Sequence, residues 1–220
     1  MGTTRLQVYN GALILCGQRP IATLDVNEEG RRLLDAAWND NAALHCLEEG
    51  QWIFAMRGSQ FQYDSAIEPT WGYRRGVGKP TDWVNTSAVC SDEYFEVPLT
   101  AYSDEGGIWY SDLDILYVKY VSSDGAYGMA MGRWPASFVE YVKAYLASKI
   151  IYNVSASPQR REELMQPNTG ILAQARLTAL NRDAMAKPTQ FPARGTWTRS
   201  RHGRNTMDWQ DGGNRNRLIG

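Results

Sequence analysis

Two hundred and twenty residues make one large domain or two small ones. The chain is 43% hydrophobic, 21% charged and 11% aromatic. That is enough apolar material for a core, and it excludes a disordered or disulfide-stapled class. No apolar run approaches the ~18 residues of a membrane span, and Met1-Gly2-Thr3-Thr4-Arg5-Leu6 lacks the pattern of a signal peptide. The expectation is a protein made in the cytoplasm, with no membrane partner. Cys16, Cys46 and Cys90 are odd in number and widely spaced, so they read as reduced, buried thiols rather than disulfides or zinc ligands.

Thr3 or Thr4 can cap a first helix, in which Leu6, Tyr9, Leu13 and Cys16 recur at helical spacing. Gly17 and Pro20 end it. Asn27 then caps a second helix, predicted to run unbroken from Glu28 to Gly50 over ~30 Å. Its stripe is Leu33, Leu34, Ala37, Trp38, Leu44 and Leu47. Trp52, Ile53, Phe54 and Met56 form an aromatic plug behind it. Residues 58–81 hold Pro69, Gly72, Gly76, Gly78 and Pro80 and read as a long connection.

Short extended runs are expected at 82–85 and 94–97. Leu99–Tyr102 and Ile108–Tyr110 pair as a hairpin around the loop Ser103-Asp104-Glu105-Gly106-Gly107. A strand through Ile115–Val121 is apolar on both faces and should be central or covered. Pro135 opens a third helix that runs to Val154. Ser157-Pro158 opens a fourth, broken by Pro167 and Gly170 and resumed from Ile171 to Met185. The result is an α+β fold: a bundle of about four helices with an inserted small antiparallel β-sheet. Its segments are 1–57 (first helices), 58–133 (loop and β insertion), 134–186 (last helices) and 187–220 (an extended basic arm).

The net charge of −1 hides an asymmetry. Residues 187–220 hold seven basic and two acidic residues, so that segment is +5 and the remainder is −6. The segment has no helical or strand periodicity, but it carries aromatic and aliphatic anchors. Such a composition is expected to order on a partner. Its candidate binding residues are Arg194, Trp197, Arg199, Arg201, Arg204, Trp209, Arg215, Arg217, Leu218 and Ile219.

Catalytic chemistry is hard to assemble. His45 sits inside a helix and points away from its neighbour Cys46, so the two cannot act as a pair. The paired acids, including Asp104-Glu105 and Asp112 with Asp114, fit helix ends and turns better than a glycosidase or magnesium site. Gly76-Val-Gly78-Lys79 lacks the spacing of a phosphate loop. No catalytic residue, metal or cofactor is therefore expected. Asp104, Glu105, Gly106 and Gly107 are expected to form a projecting contact loop.

Tyr9-Asn10-Gly11-Ala12-Leu13-Ile14-Leu15-Cys16-Gly17-Gln18-Arg19-Pro20-Ile21-Ala22-Thr23-Leu24-Asp25, followed by Gln51-Trp52-Ile53-Phe54-Ala55-Met56-Arg57, resembles the opening of the head-to-tail adaptor (connector) proteins of tailed bacteriophages, the tail tubular protein A-like family. The resemblance runs on through Lys79–Trp83, Tyr102–Ile108, Ile115–Tyr120 and Trp134–Phe138, covering roughly residues 6–186. Residues 194–220 are similar to the C-terminal arms of some of these adaptors, though longer and richer in arginine. The resemblance implies a non-enzymatic structural protein of the virion neck, forming a homododecameric ring. Its partners would be the portal protein and the tail tube or nozzle proteins, with DNA passing through the lumen without sequence recognition. Two other functions fit the residues less well: a nucleic-acid-binding module acting through the basic segment, and a virion cell-wall hydrolase using a carboxylic acid.

Overall fold

A computed structural model describes residues 2–155 and 157–187. Thr4 caps the first helix, α1 (Arg5–Leu15), through a reciprocal capping box. Its Oγ1 accepts the Gln7 N–H at 3.3 Å, while the Gln7 side chain accepts the Thr4 N–H at 3.1 Å. The helix expected from Glu28 to Gly50 is two helices, α2 (Glu29–Asn39) and α3 (Ala42–Glu48). Asn41 breaks it at φ +60°, in the left-handed region that asparagine tolerates better than most residues. Glu28, not Asn27, occupies the cap position of α2, in extended backbone with no side-chain bond.

Residues 58–81, read as connection, hold most of one strand, β1 (Met56–Gln62), and all of another, β2 (Arg75–Gly78). β3 (Trp83–Cys90) extends well beyond the expected run. Tyr94–Val97 is a turn rather than a strand: the Asp92 carboxylate accepts the N–H groups of Glu96 and Val97 at 2.9 and 2.8 Å, and Phe95 takes φ +57°. The expected hairpin is present but displaced. Its strands are β4 (Ser103–Glu105) and β5 (Ile108–Ser111), leaving only Gly106-Gly107 as the turn.

β6 (Ile115–Ser122) is central, as its two-faced apolarity implied. It pairs antiparallel with β1 and β3 in the order β1-β6-β3, and β2-β5-β4 form a second antiparallel sheet. The chain then enters α4 (Ala136–Val154), with Pro135 as its cap rather than its first residue. Pro158 occupies the first turn of α5 (Pro158–Met165), and α6 (Ile171–Ala186) follows. The fold is α+β, with six helices among the described residues because the second and fourth expected helices are each interrupted. No described helix is long and apolar enough to cross a membrane.

Two cores hold these elements. The first joins helices from both ends of the sequence around Trp52, Phe138, Tyr141 and Leu146, and takes in Val121 of β6. The second lies between the sheets: Val77 and Trp109 from one meet Val89, Leu116, Val118 and Tyr120 from the other. Phe138 is fully buried and is the hub of the first core. Its ring centroid lies 4.8 Å from Trp52, 4.8 Å from Phe54 and 5.1 Å from Trp134, within the range of favourable aromatic pairing. Phe138→Ala is expected to cost about 3–5 kcal/mol, seen as a lower urea midpoint with little change in slope.

Candidate functional site

The glycines of the β4–β5 turn have φ +57° and +82°, the pair of positive angles that lets a two-residue hairpin follow strand twist. This turn leaves Asp104 inside β4, where its carboxylate is held from several sides. Lys79 forms an ion pair with it. Trp109 Nε1 donates to it at 3.2 Å, and the Thr86 hydroxyl at 3.1 Å. Thr86 Oγ1 in turn accepts from Trp83 Nε1 at 3.0 Å and Trp109 Nε1 at 3.2 Å, which uses the hydroxyl's one donor and two acceptor positions.

Lys79 Nζ lies 3.5 Å from the Trp83 ring centroid and 5.5 Å from that of Trp109. Its side chain is only 7% exposed. The lysine of the rejected phosphate loop is thus an ammonium set on an indole face, clasping the hairpin to the first sheet. Of the expected contact loop, Glu105, Gly106 and Gly107 are exposed at the tip, and Asp104 is part of the clasp.

A second polar cluster centres on Asp82, which sequence reasoning passed over. Its carboxylate accepts from Ser122 Oγ at 2.5 Å and Arg57 Nη1 at 3.0 Å, with Tyr120 Oη at 3.3 Å. The Asp82 side chain is 15% exposed. The Arg57 guanidinium also lies 5.2 Å from the Tyr127 ring centroid. Burial pushes the Asp82 carboxyl up, but the bonds from Ser122 and Arg57 outweigh it and leave its pKa below the ordinary value. The only sequence signal was an aspartate after a proline turn, which also fits an ordinary loop.

The loop between β1 and β2 forms an open cleft of about 460 Å³, lined by residues that include Tyr63, Asp64, Glu68, Tyr73 and Arg74. In the same loop Trp71 is 80% exposed. Asp112 accepts the Arg74 backbone N–H at 3.1 Å, and Asp114 pairs with Arg75 at 2.7 Å. The acids once considered for hydrolysis therefore brace this loop.

His45 stacks on Tyr145 at 4.7 Å and lies 3.5 Å from Glu49. Glu49 also accepts from Tyr141 Oη at 2.7 Å and pairs with Arg176 at 2.6 Å, tying α3 to α4 and α6. The three cysteines are free and buried. Burial pushes the Cys46 thiol up to about 12 and Cys16 to about 11, far from the thiolate that nucleophilic chemistry requires. Among the described residues no three His, Cys, Asp or Glu side chains converge as a metal site.

The candidate residues Arg194, Trp197, Arg199, Arg201, Arg204, Trp209, Arg215, Arg217, Leu218 and Ile219 lie outside the described residues. No protein-family model and no curated protein sequence matches this chain.

The Asp82 cluster yields a pH-dependent outcome. A depressed carboxyl stabilises the fold above its unfolded pKa, near 4, and loses that contribution as pH falls through the lower folded value. Asp82→Asn is expected to cost about 1–2 kcal/mol at pH 7, because Arg57 is one-third exposed and partly screened. The gap between wild type and variant in urea titrations should narrow below about pH 4.

Proposed function

We propose that this protein is a structural head-to-tail adaptor of a tailed-phage virion, a ring subunit set between the portal and the tail around the DNA exit channel. The observation that carries the reading is where the resembling motifs meet. Asn10 clamps Ile21 on both sides: its Nδ2 donates to the Ile21 carbonyl at 3.0 Å and its Oδ1 accepts the Ile21 N–H at 2.9 Å. Trp52 Nε1 donates to the Cys46 carbonyl at 3.0 Å, and Trp134 Nε1 to the Gly128 carbonyl at 2.7 Å. Both indoles rest on Phe138. Motifs from residues 9–25, 51–57 and 134–138 thus build one helical core, which supports a resemblance of whole folds over chance matches of short words.

The inserted β-sheets have a core of their own, so the molecule can present loops from a braced platform. In this reading the basic residues and anchors of 187–220 bind the portal, and the hairpin tip meets a neighbouring subunit or the tail. The lumen of the ring encloses DNA without reading it, and the chain needs no cofactor or active site.

Size measurement on purified protein, alone and mixed with its portal, tests the proposal. The expected outcome is a monomeric or weakly associated chain that forms a closed ring only on the portal, since it lacks a long coiled-coil heptad to drive self-assembly. A stable dodecamer of the isolated chain in dilute buffer would refute the templated assembly. Failure to co-migrate with the portal would remove the adaptor function. Deleting 187–220 should leave a folded body, by circular dichroism, that no longer attaches to filled heads. Retained attachment would move the portal contact to the helical body.

A further inference from the structure

A helix on the surface of a folded chain ordinarily turns charge to water. α5 does so, exposing Arg160, Glu162 and Glu163. α6 does not. Its 16 residues rest on the helical core through the buried Ala179, with Leu172, Ala175 and Leu180 partly buried beside it. Asp183 is spent on the Ile53 N–H at 2.9 Å, and Arg176 on Glu49. The outer face holds Ile171, Gln174, Leu177, Thr178, Asn181 and Met185, all exposed. Leu177 is 54% exposed and Met185 79%. No acid stands on this face, and Arg182 at its margin is its one charge.

The order of these residues nearly mirrors itself. Ile171, Gln174, Thr178, Asn181 and Met185 recur at alternating steps of three and four, the spacing that keeps side chains on one side of a helix. Ile171 and Met185 stand seven residues to either side of Thr178. A second α6 laid antiparallel about Thr178 therefore sets Ile171 against Met185 at both ends of the contact. Gln174 of one copy then falls level with Arg182 of the other. The Gln174 Nε2 already donates to the Thr169 carbonyl at 3.1 Å, so its Oε1 is the atom left to accept from a guanidinium. Self-pairing thus brings no like charges together. A highly charged partner would find almost no counter-charge on the same face.

We propose that the outer face of α6 docks on the same face of a second copy, antiparallel about a two-fold axis near Thr178. A helix of 16 residues is about 24 Å long. A strip of that length and one helix wide buries well under the roughly 800 Å² per partner of a standard stable interface. The stripe also covers only two heptads. The pairing is therefore weak, and it forms as concentration rises. An isologous joint lies outside a cyclic ring, in which every subunit faces the same way round. The inference goes beyond the adaptor reading and does not rest on it: it describes how unassembled chains meet.

Sedimentation of the full-length protein over a concentration series tests the proposal. A reversible monomer–dimer equilibrium is expected, unchanged or tightened by added salt because apolar and amide groups carry it. Leu177→Asp and Met185→Asp, both at exposed positions, should weaken it at least tenfold while circular dichroism stays the same. The three native cysteines are buried, so an introduced thiol reports the geometry. Thr178→Cys should link to itself under mild oxidation at least tenfold faster than Thr70→Cys on the β1–β2 loop. Met185→Cys should link to Ile171→Cys in a mixture and not to itself. A chain that stays monomeric to millimolar concentration, a dimer indifferent to both aspartates or one loosened by salt would overturn the proposal. So would self-linking of Met185→Cys, which reports parallel helices. Dimerisation only after deletion of 188–220 would also overturn it, assigning the face to the chain's own following segment.

Discussion

The fold depends on two indole N–H groups being satisfied inside a core that is otherwise apolar. Trp52 and Trp134 flank Phe138 from opposite directions in sequence, and each donates to a backbone carbonyl a short distance away along its own chain. A buried N–H without a partner costs on the order of 1–3 kcal/mol, so neither ring could take its place without the local turn that supplies the acceptor. The Cys46 carbonyl lies near the end of α3 and the Gly128 carbonyl in the 124–130 turn. Gly128 is itself obligatory there: a Cβ at that position would approach the Ser122 carbonyl to 2.2 Å. Both indoles are thus held by backbone already fixed by the elements before them, and α4 closes the core by inserting Phe138 between them.

This arrangement explains how two cores coexist in one compact unit. β6 serves both: Leu116, Val118 and Tyr120 face the inter-sheet core, while Val121 enters the helical one. Ser122, at the end of β6, bonds to Asp82, and Arg57 at the start of β1 reaches the same carboxylate. The Asp82 cluster therefore sits where the first sheet leaves the helices, and it fixes the strand ends by directional bonds where apolar packing changes hands. The Lys79–Asp104 clasp does the corresponding work at the hairpin, over the faces of Trp83 and Trp109.

Helix periodicity was the most legible feature of the sequence, because burial of one stripe needs only local spacing. α1, α4, α5 and α6 lie within a few residues of their expected bounds. The break at Asn41 was hidden because apolar spacing continues through Leu44 and Leu47, whereas the left-handed turn is a property of one residue's backbone. β1 was missed for a different reason. Met-Arg-Gly-Ser-Gln-Phe-Gln has weak strand propensity, and it is extended because β6 provides a long, apolar partner. The reverse error occurred at Tyr94–Val97, where aromatic and β-branched residues suggested a strand but the Asp92 carboxylate takes the backbone donors a ladder would need. Lys79 was weighed only within a phosphate-loop pattern and set aside, and its place against the indoles of Trp83 and Trp109 depends on a contact with a distant strand. Long-range pairings such as Asp82 with Ser122 leave no short motif to find.

The residues that carry the family resemblance are mainly core residues: Tyr9, Ile21, Trp52, Trp134 and Phe138 are all buried. Core positions specify how the chain folds, and a fold hosts many functions. Any recognition by this protein must be carried by groups that folding leaves unspent. Asp104, Asp114, Arg57 and Arg75 of the β insertion do not qualify, since they are engaged with one another or with their neighbours. Among the described residues of the β insertion, folding leaves over the exposed Trp71 and Tyr94 and the glycine tip of the hairpin. Trp71 stands in the loop between β1 and β2, so an aromatic face is offered there without cost to the ladder bonds of either sheet. The helices keep free groups as well, with Ile14, Tyr152, Leu177 and Met185 exposed, so it is the buried bonds, and not a division between helices and sheets, that decide which groups remain for recognition.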